Sequence, residues 1–133
     1  MTTTVLVVDE DTRARQVLCD ALQKHGFRTR QAADLAGVRQ LRREDGAAWR
    51  PELSIVELVR EHGNGFSVAA WLQSRGYGIV VLLSERNDVA DRLWARSRGI
   101  LHLASRAGGI DQLCARLQDI VADSQGASRR EPA

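Results

Sequence analysis

The sequence predicts an α/β protein, a doubly wound five-stranded parallel sheet with helices on both faces. Two observations carry this reading. Five short runs, Val5–Val8, Phe27–Gln31, Leu53–Val56, Ile79–Leu83 and Ile100–Ala104, alternate with five stretches of helical periodicity, the pattern of successive βα units. Three of the runs, beginning at Val5, Leu53 and Ile79, are apolar at every position up to a closing polar residue, apart from Ser54; this suits strands covered on both faces.

The elements follow in order. Val5–Val8 is closed by Asp9-Glu10-Asp11, and Asp11 or Thr12 can cap a helix that carries Ala14, Val17, Leu18, Ala21 and Leu22 on one face. His25-Gly26 ends that helix, with glycine just past its C-terminus. Phe27–Gln31 is polar enough for an edge strand. Leu35, Val38 and Leu41 outline the second helix, and the loop from Gly46 to Arg50 leads to Pro51, with Trp49 expected to pack back on the domain. The third helix spans Phe66 to Arg75 and is broken by Gly76-Tyr77-Gly78. Ser84 closes the Ile79 strand. Asp88 can cap a fourth helix with a predicted inner face of Ala90, Leu93, Trp94 and Ser97, ended by Gly99. A fifth helix places Ile110, Leu113, Leu117, Ile120 and Val121 on one face. Residues 1–123 form the domain, and the aperiodic polar stretch 124–133 reads as a disordered tail.

With 133 residues the chain forms one domain that can bury a core. It has no apolar run long enough to span a bilayer and no secretory signal before Val5, so a cytoplasmic location is expected, with no membrane partner. Cys19 and Cys114 fall within helical patterns without metal-ligand spacing, and read as small core or half-buried residues. The net charge is +2 and Lys24 is the only lysine. The arginines are spread over most helices, whereas a nucleic-acid footprint clusters on one face; no nucleic-acid partner is expected. No serine or cysteine is matched with a histidine base on the elements that build the site, so the chain is not expected to be an enzyme.

Open α/β sheets keep their functional groups at the carboxyl ends of the strands. There the sequence offers Asp9 and Glu10 after the first strand, Glu57 after the third, Ser84 after the fourth and Arg106 after the fifth. Together with Pro51, Leu53 and Gly65 around Glu57, this series resembles the response-regulator receiver domains, the CheY-like family, over about residues 4 to 122. The resemblance implies the flavodoxin-like strand order 2-1-3-4-5. It also implies an acidic pocket at Asp9 and Glu10 and a phosphoacceptor position at Glu57. Switch positions fall at Ser84, Leu103 and Arg106, and a Mg²⁺ ion would be held by Asp9, Glu10 and Glu57. Such a hard cation takes oxygen ligands and keeps several waters.

The chain departs from the family pattern at several positions. Glu57 stands in place of the acceptor aspartate, moving the carboxylate about 1.5 Å farther from the backbone, one carbon–carbon bond. In-line attack is sensitive to that scale, since a misplacement of about 1 Å can cost on the order of 100-fold. Arg106 replaces a lysine, and a planar guanidinium fork is not equivalent to a point charge. Glu61 and Ala107 occupy two usual proline positions, and Leu103 replaces a Tyr or Phe.

The expected function is therefore a stand-alone pseudo-receiver: a phosphorylation-independent protein–protein interaction module of bacterial signal transduction, requiring no cofactor. Glu57 paired with Arg106 or Ser84 would hold one conformation permanently. The resemblance implies an interaction surface on the fourth helix, fifth strand and fifth helix, from Asp88 to Val121, for an effector or a homodimer. Asp91, Trp94 and Arg98 lie on it, and Asp91–Gly99 loosely resembles receivers of type IV pili and twitching motility. Two alternatives remain. One is a working Mg²⁺-dependent receiver with Glu57 as acceptor. The other is a flavodoxin-like small-molecule binder, which the acids Asp9-Glu10-Asp11 disfavour because they would repel a phosphate.

Overall fold

Alternating side chains along the central strands explain how one sheet acquires two cores. A computed structural model describes residues 2–46, 48–58, 65–85, 89–100 and 102–130. The strands are β1 (Thr4–Val8), β2 (Arg28–Ala32), β3 (Leu53–Glu57), β4 (Ile79–Ser84) and β5 (His102–Ser105). They alternate with the helices α1 (Thr12–Lys24), α2 (Leu35–Asp45), α3 (Gly65–Ser74), α4 (Val89–Ser97) and α5 (Ile110–Arg130). All strand pairs are parallel, in the order β2-β1-β3-β4-β5, as the sequence predicts.

Because successive strand residues point to opposite faces, Val5, Val7, Ile55, Val81 and Leu83 pack with Leu18, Cys19 and Leu22 of α1 and with Leu113, Cys114 and Leu117 of α5. Leu6, Val8, Val56, Val80 and Leu82 pack on the other face with Val38, Val68, Ala69 and Leu72 of α2 and α3 and Ala95 of α4. Burying each such side chain contributes roughly 1.5–3 kcal/mol, so every residue of β1 from Val5 to Val8 works for one core or the other. Both cysteines are buried and free. Trp49 packs against the second core, edge-on to the Tyr77 ring at 6.3 Å.

Helix entry follows the capping chemistry of the sequence. The Asp11 carboxylate accepts from Ala14 N at 3.0 Å, and Asp34 accepts from Gly37 N at 2.9 Å, each satisfying a first-turn amide. Gly78 has φ +77°, and a Cβ there would run into the backbone of Pro51 and Glu52; only glycine lets β4 start beside β3.

Three expectations are corrected. Ala90, Leu93, Trp94 and Ser97 do not form the inner face of α4: Leu93 and Trp94 are 63% and 55% exposed, whereas Ala95 is 1% exposed. The helix is turned by roughly one residue, or 100°, presenting small Ala95 to the sheet. Trp94 stays at the rim because the Arg98 guanidinium lies 4.5 Å over its ring and Phe66 lies 6.5 Å away. The fifth strand is shorter than expected, with buried Ile100 preceding it. Residues 124–130 are not a disordered tail but continue α5. They include Ala, Gln and Arg, which favour helix, and no proline interrupts before Pro132. Glu61, His62 and Asp88 lie outside the described residues.

Candidate functional site

Parallel pairing brings the carboxyl ends of β1, β3, β4 and β5 side by side, and the backbone continues the ladder past them. Asp9 N donates to Ala32 O at 3.1 Å, Leu58 N to Leu83 O at 2.9 Å, and Arg106 N to Ser84 O at 2.9 Å. Asp9, Glu57 and Ser84 are therefore fixed at the sheet edge and buried, at 5%, 7% and 3% exposure. Arg106 reaches across from the end of β5. Its Nη2 donates to Glu57 Oε2 at 2.7 Å and to Asp9 Oδ2 at 3.3 Å. One guanidinium nitrogen thus bridges carboxylates from two strands.

Asp9 is held from other directions as well. Its Oδ1 accepts from Asp11 N at 2.9 Å, and its carbonyl accepts from Arg15 Nη1 at 2.7 Å. Arg15 is steadied in turn by Nε donating to Gln31 Oε1 at 2.9 Å. Burial pushes the Asp9 carboxyl above its ordinary value. The Asp11 amide and the charges of Arg106 and Arg15 oppose the rise, and Asp11 adds to it. Desolvation therefore outweighs pairing at this carboxylate.

Among the described residues no three His, Cys, Asp or Glu side chains are grouped to hold a metal ion. The expected set of Asp9, Glu10 and Glu57 is not assembled, and the physical reason is the guanidinium. Asp9 and Glu57 converge on Arg106, whose fixed positive charge stands where a divalent cation would have to bridge them. The residues as arranged do not fit Mg²⁺, and no chemical step is derived through it. Glu10 follows Asp9 and is partly exposed.

The remaining sites expected from sequence lie apart from this cluster. Leu103 is half-buried against the second core. Trp94 and Arg98 stack on the outer face of α4, and the side chain of Asp91 lies outside the described residues. Sequence reading missed Arg15, whose role comes from its place one turn into α1, facing the end of β1; no motif distinguishes it from the other arginines. It also missed Ser54, a buried hydroxyl in β3 that donates to Tyr77 O at 2.7 Å.

No protein-family model matches the chain. It is 30% identical over 116 residues to the KDP operon transcriptional regulatory protein KdpE of Escherichia coli, covering 87% of this chain and 50% of that protein. It is 26% identical over 124 residues to the transcriptional regulatory protein GltR of Pseudomonas aeruginosa, covering 91% and 50%. The chain thus spans about half the length of these curated relatives. Among solved structures, it superposes on a two-component response regulator from Clostridium difficile with a TM-score of 0.75 at 17% identity, covering 91% of this chain and 97% of that one. The chemotaxis protein CheY4 of Vibrio cholerae also gives 0.75, at 18% identity, covering 90% and 98%. On sequence and fold together, the chain belongs to the response-regulator receiver domains, the CheY-like family.

Proposed function

We propose that the chain is a phosphorylation-independent protein–protein interaction module of two-component signalling, working in the cytoplasm. The observation that carries this reading is the bridge from Arg106 to Glu57 and Asp9. Phosphoryl transfer to a carboxylate needs a free oxygen in line with the phosphorus and cationic groups turned toward the incoming phosphoryl oxygens. Here Glu57 Oε2 is already engaged by the guanidinium that follows β5, and the same guanidinium also donates to Asp9. The ion pair ties the end of β3 to the loop that enters α5, a tie that a phosphoryl group would otherwise have to create. The surface built by α4, β5 and α5 is then held in one shape, ready for a protein partner. Its pathway is first to be sought in type IV pilus or chemotaxis-like systems, which the resemblance of Asp91–Gly99 suggests.

The test is intact mass after incubation with Mg²⁺ and acetyl phosphate, beside a receiver that accepts phosphate under the same conditions. The expected result is no added phosphoryl mass. An added mass that vanishes in Glu57→Gln would overturn the reading in favour of a receiver that uses Glu57 as acceptor.

A further inference from the structure

Arginines that lie far apart in the sequence are drawn together at the amino ends of the strands, between α2 and α3. Trp71 of α3 is half-buried there against the second core. The Arg39 guanidinium of α2 lies 5.6 Å from the Trp71 ring centroid, and that of Arg75, just past α3, lies 5.3 Å away. Beneath it the Tyr77 ring lies 5.6 Å from Trp71, and Arg50 covers Tyr77 at 4.8 Å. Planar groups from two helices and the two loops that follow them thus form one continuous stack. Arg50 fastens it, with Nε donating to Arg75 O at 3.1 Å and Nη1 to Trp49 O at 2.7 Å.

The charge of this stack is not answered locally. Arg39 and Arg75 are exposed, and among the described residues no carboxylate pairs with either. Arg43, one turn beyond Arg39, donates to neutral Gln40 at 2.9 Å. The acids of the same end are engaged elsewhere: Glu44 and Asp45 by Arg30 at 3.4 and 3.0 Å, and Glu52 by Thr4 N at 2.6 Å.

We propose that this end of the domain binds single-stranded nucleic acid. Unpaired bases extend the stack on Arg39, Trp71 and Arg75, and phosphates meet the outward N–H groups of Arg39, Arg43 and Arg75. The activity goes beyond the protein-interaction module and uses the end of the molecule opposite the Glu57–Arg106 site. Guanidinium planes and indole faces take up a base by stacking whatever its identity, and an unneutralised cationic surface attracts the phosphate backbone. An acidic peptide would pair with the arginine edges and leave the stacked faces unused, so the alternation of rings and guanidinium groups selects bases over carboxylates.

The experiment titrates the full chain into fluorescently labelled ten-nucleotide strands, one RNA and one DNA of the same mixed sequence, and follows anisotropy. Circular dichroism checks the fold of each variant. Binding is expected, and the tighter strand identifies which of the two the surface serves. Affinity should fall about a hundredfold for each tenfold rise in salt, the slope for about three phosphates of a single strand. A duplex of the DNA strand with its complement is expected to bind about tenfold more weakly or worse, its bases being closed to stacking. Arg39→Gln/Arg75→Gln and Trp71→Leu should each weaken binding by about tenfold or more. Arg13→Gln/Arg116→Gln removes the same charge from exposed positions on α1 and α5, and should bind like the parent. No binding of either strand, equal binding of the duplex, full binding by a folded Trp71→Leu, or equal weakening by both arginine pairs would each overturn the proposal. So would a labelled polyglutamate peptide that binds as tightly as the strands, since the surface would then read charge and not bases.

Discussion

Arg106 Nη2 donates to Glu57 Oε2 at 2.7 Å across 49 residues of sequence, and this contact sets the electrostatics of the whole strand-end site. Removing the arginine would leave two buried carboxylates, Glu57 and Asp9, without the cation they share. Arg106→Ala is expected to destabilise the fold by about 1–3 kcal/mol, below the usual cost of breaking a buried pair because the guanidinium is partly open to solvent. Glu57→Gln, which keeps an acceptor oxygen, is expected to lose less. Urea denaturation of Arg106→Ala, Glu57→Ala and Arg106→Ala/Glu57→Ala closes a double-mutant cycle. Additive losses in that cycle would show that the two side chains do not act as a pair.

A second expectation concerns pH. The Asp9 carboxyl is raised above its ordinary value of 3.8, chiefly by burial. In the window between 3.8 and the raised value the folded state binds more protons than the unfolded one, so stability falls as pH rises through it. Above the window the charged, desolvated carboxylate carries its full cost; below 3.8 the cost is gone. Asp9→Asn keeps an oxygen to accept from Asp11 N and removes the titration. The stability of the parent minus that of Asp9→Asn should therefore drop from pH 3.5 to neutrality in urea titrations. A difference that stays flat, or rises with pH, would mean that pairing with Arg106 and Arg15 outweighs burial.

Much of this arrangement was legible in the sequence. The strand ends could be ordered because β1, β3 and β4 are almost uninterrupted apolar runs, and each ends in a polar residue that became part of the site. The sequence left Arg106 and Ser84 open as partners for Glu57; the guanidinium reaches it because Arg106 N is fixed to Ser84 O at the end of the β4–β5 ladder. The face of α4 was not legible. Leu93 and Trp94 have the spacing of an inner stripe, but periodicity cannot register that Arg98 and Phe66 offer Trp94 a stacking site outside the core. Nor could it show that Arg15 would cap the Asp9 carbonyl, since that contact depends on how α1 lies over β1.

Arg106 also yields an expectation for divalent ions. With the guanidinium between Asp9 and Glu57, the parent is expected to show no saturable Mg²⁺ binding by calorimetry. Arg106→Met removes the internal cation while keeping apolar bulk, and is expected to acquire a Mg²⁺ site that Glu57→Gln in the same background abolishes. Mg²⁺ binding by the parent as tight as that of Arg106→Met would show that the arginine is no barrier.

The last expectation concerns Gly65, which opens α3. A Cβ on Gly65 would be forced onto the carbonyl oxygen of Glu57 and would come within 2.8 Å of Leu58 Cα. Both obstacles are backbone at the end of β3, so neither can swing aside as a flexible side chain would. Gly65 N also donates to Leu58 O at 3.0 Å, which holds the helix start against the strand end. Gly65→Ala must therefore displace either α3 or the residue that carries the Glu57 carboxylate. An overpacked site of this kind costs about 1–3 kcal/mol, and the displacement should reach the ion pair. Gly65→Ala is expected to lower the urea midpoint and to reduce the Glu57–Arg106 coupling when the double-mutant cycle is repeated in its background. Gly126→Ala, inside α5 where a Cβ meets nothing within 4 Å, serves as the control; it should leave the coupling unchanged and should not lower the urea midpoint, since alanine favours helix over glycine. If Gly65→Ala were no more costly than that control, close approach at Glu57 would not be the reason for a glycine there.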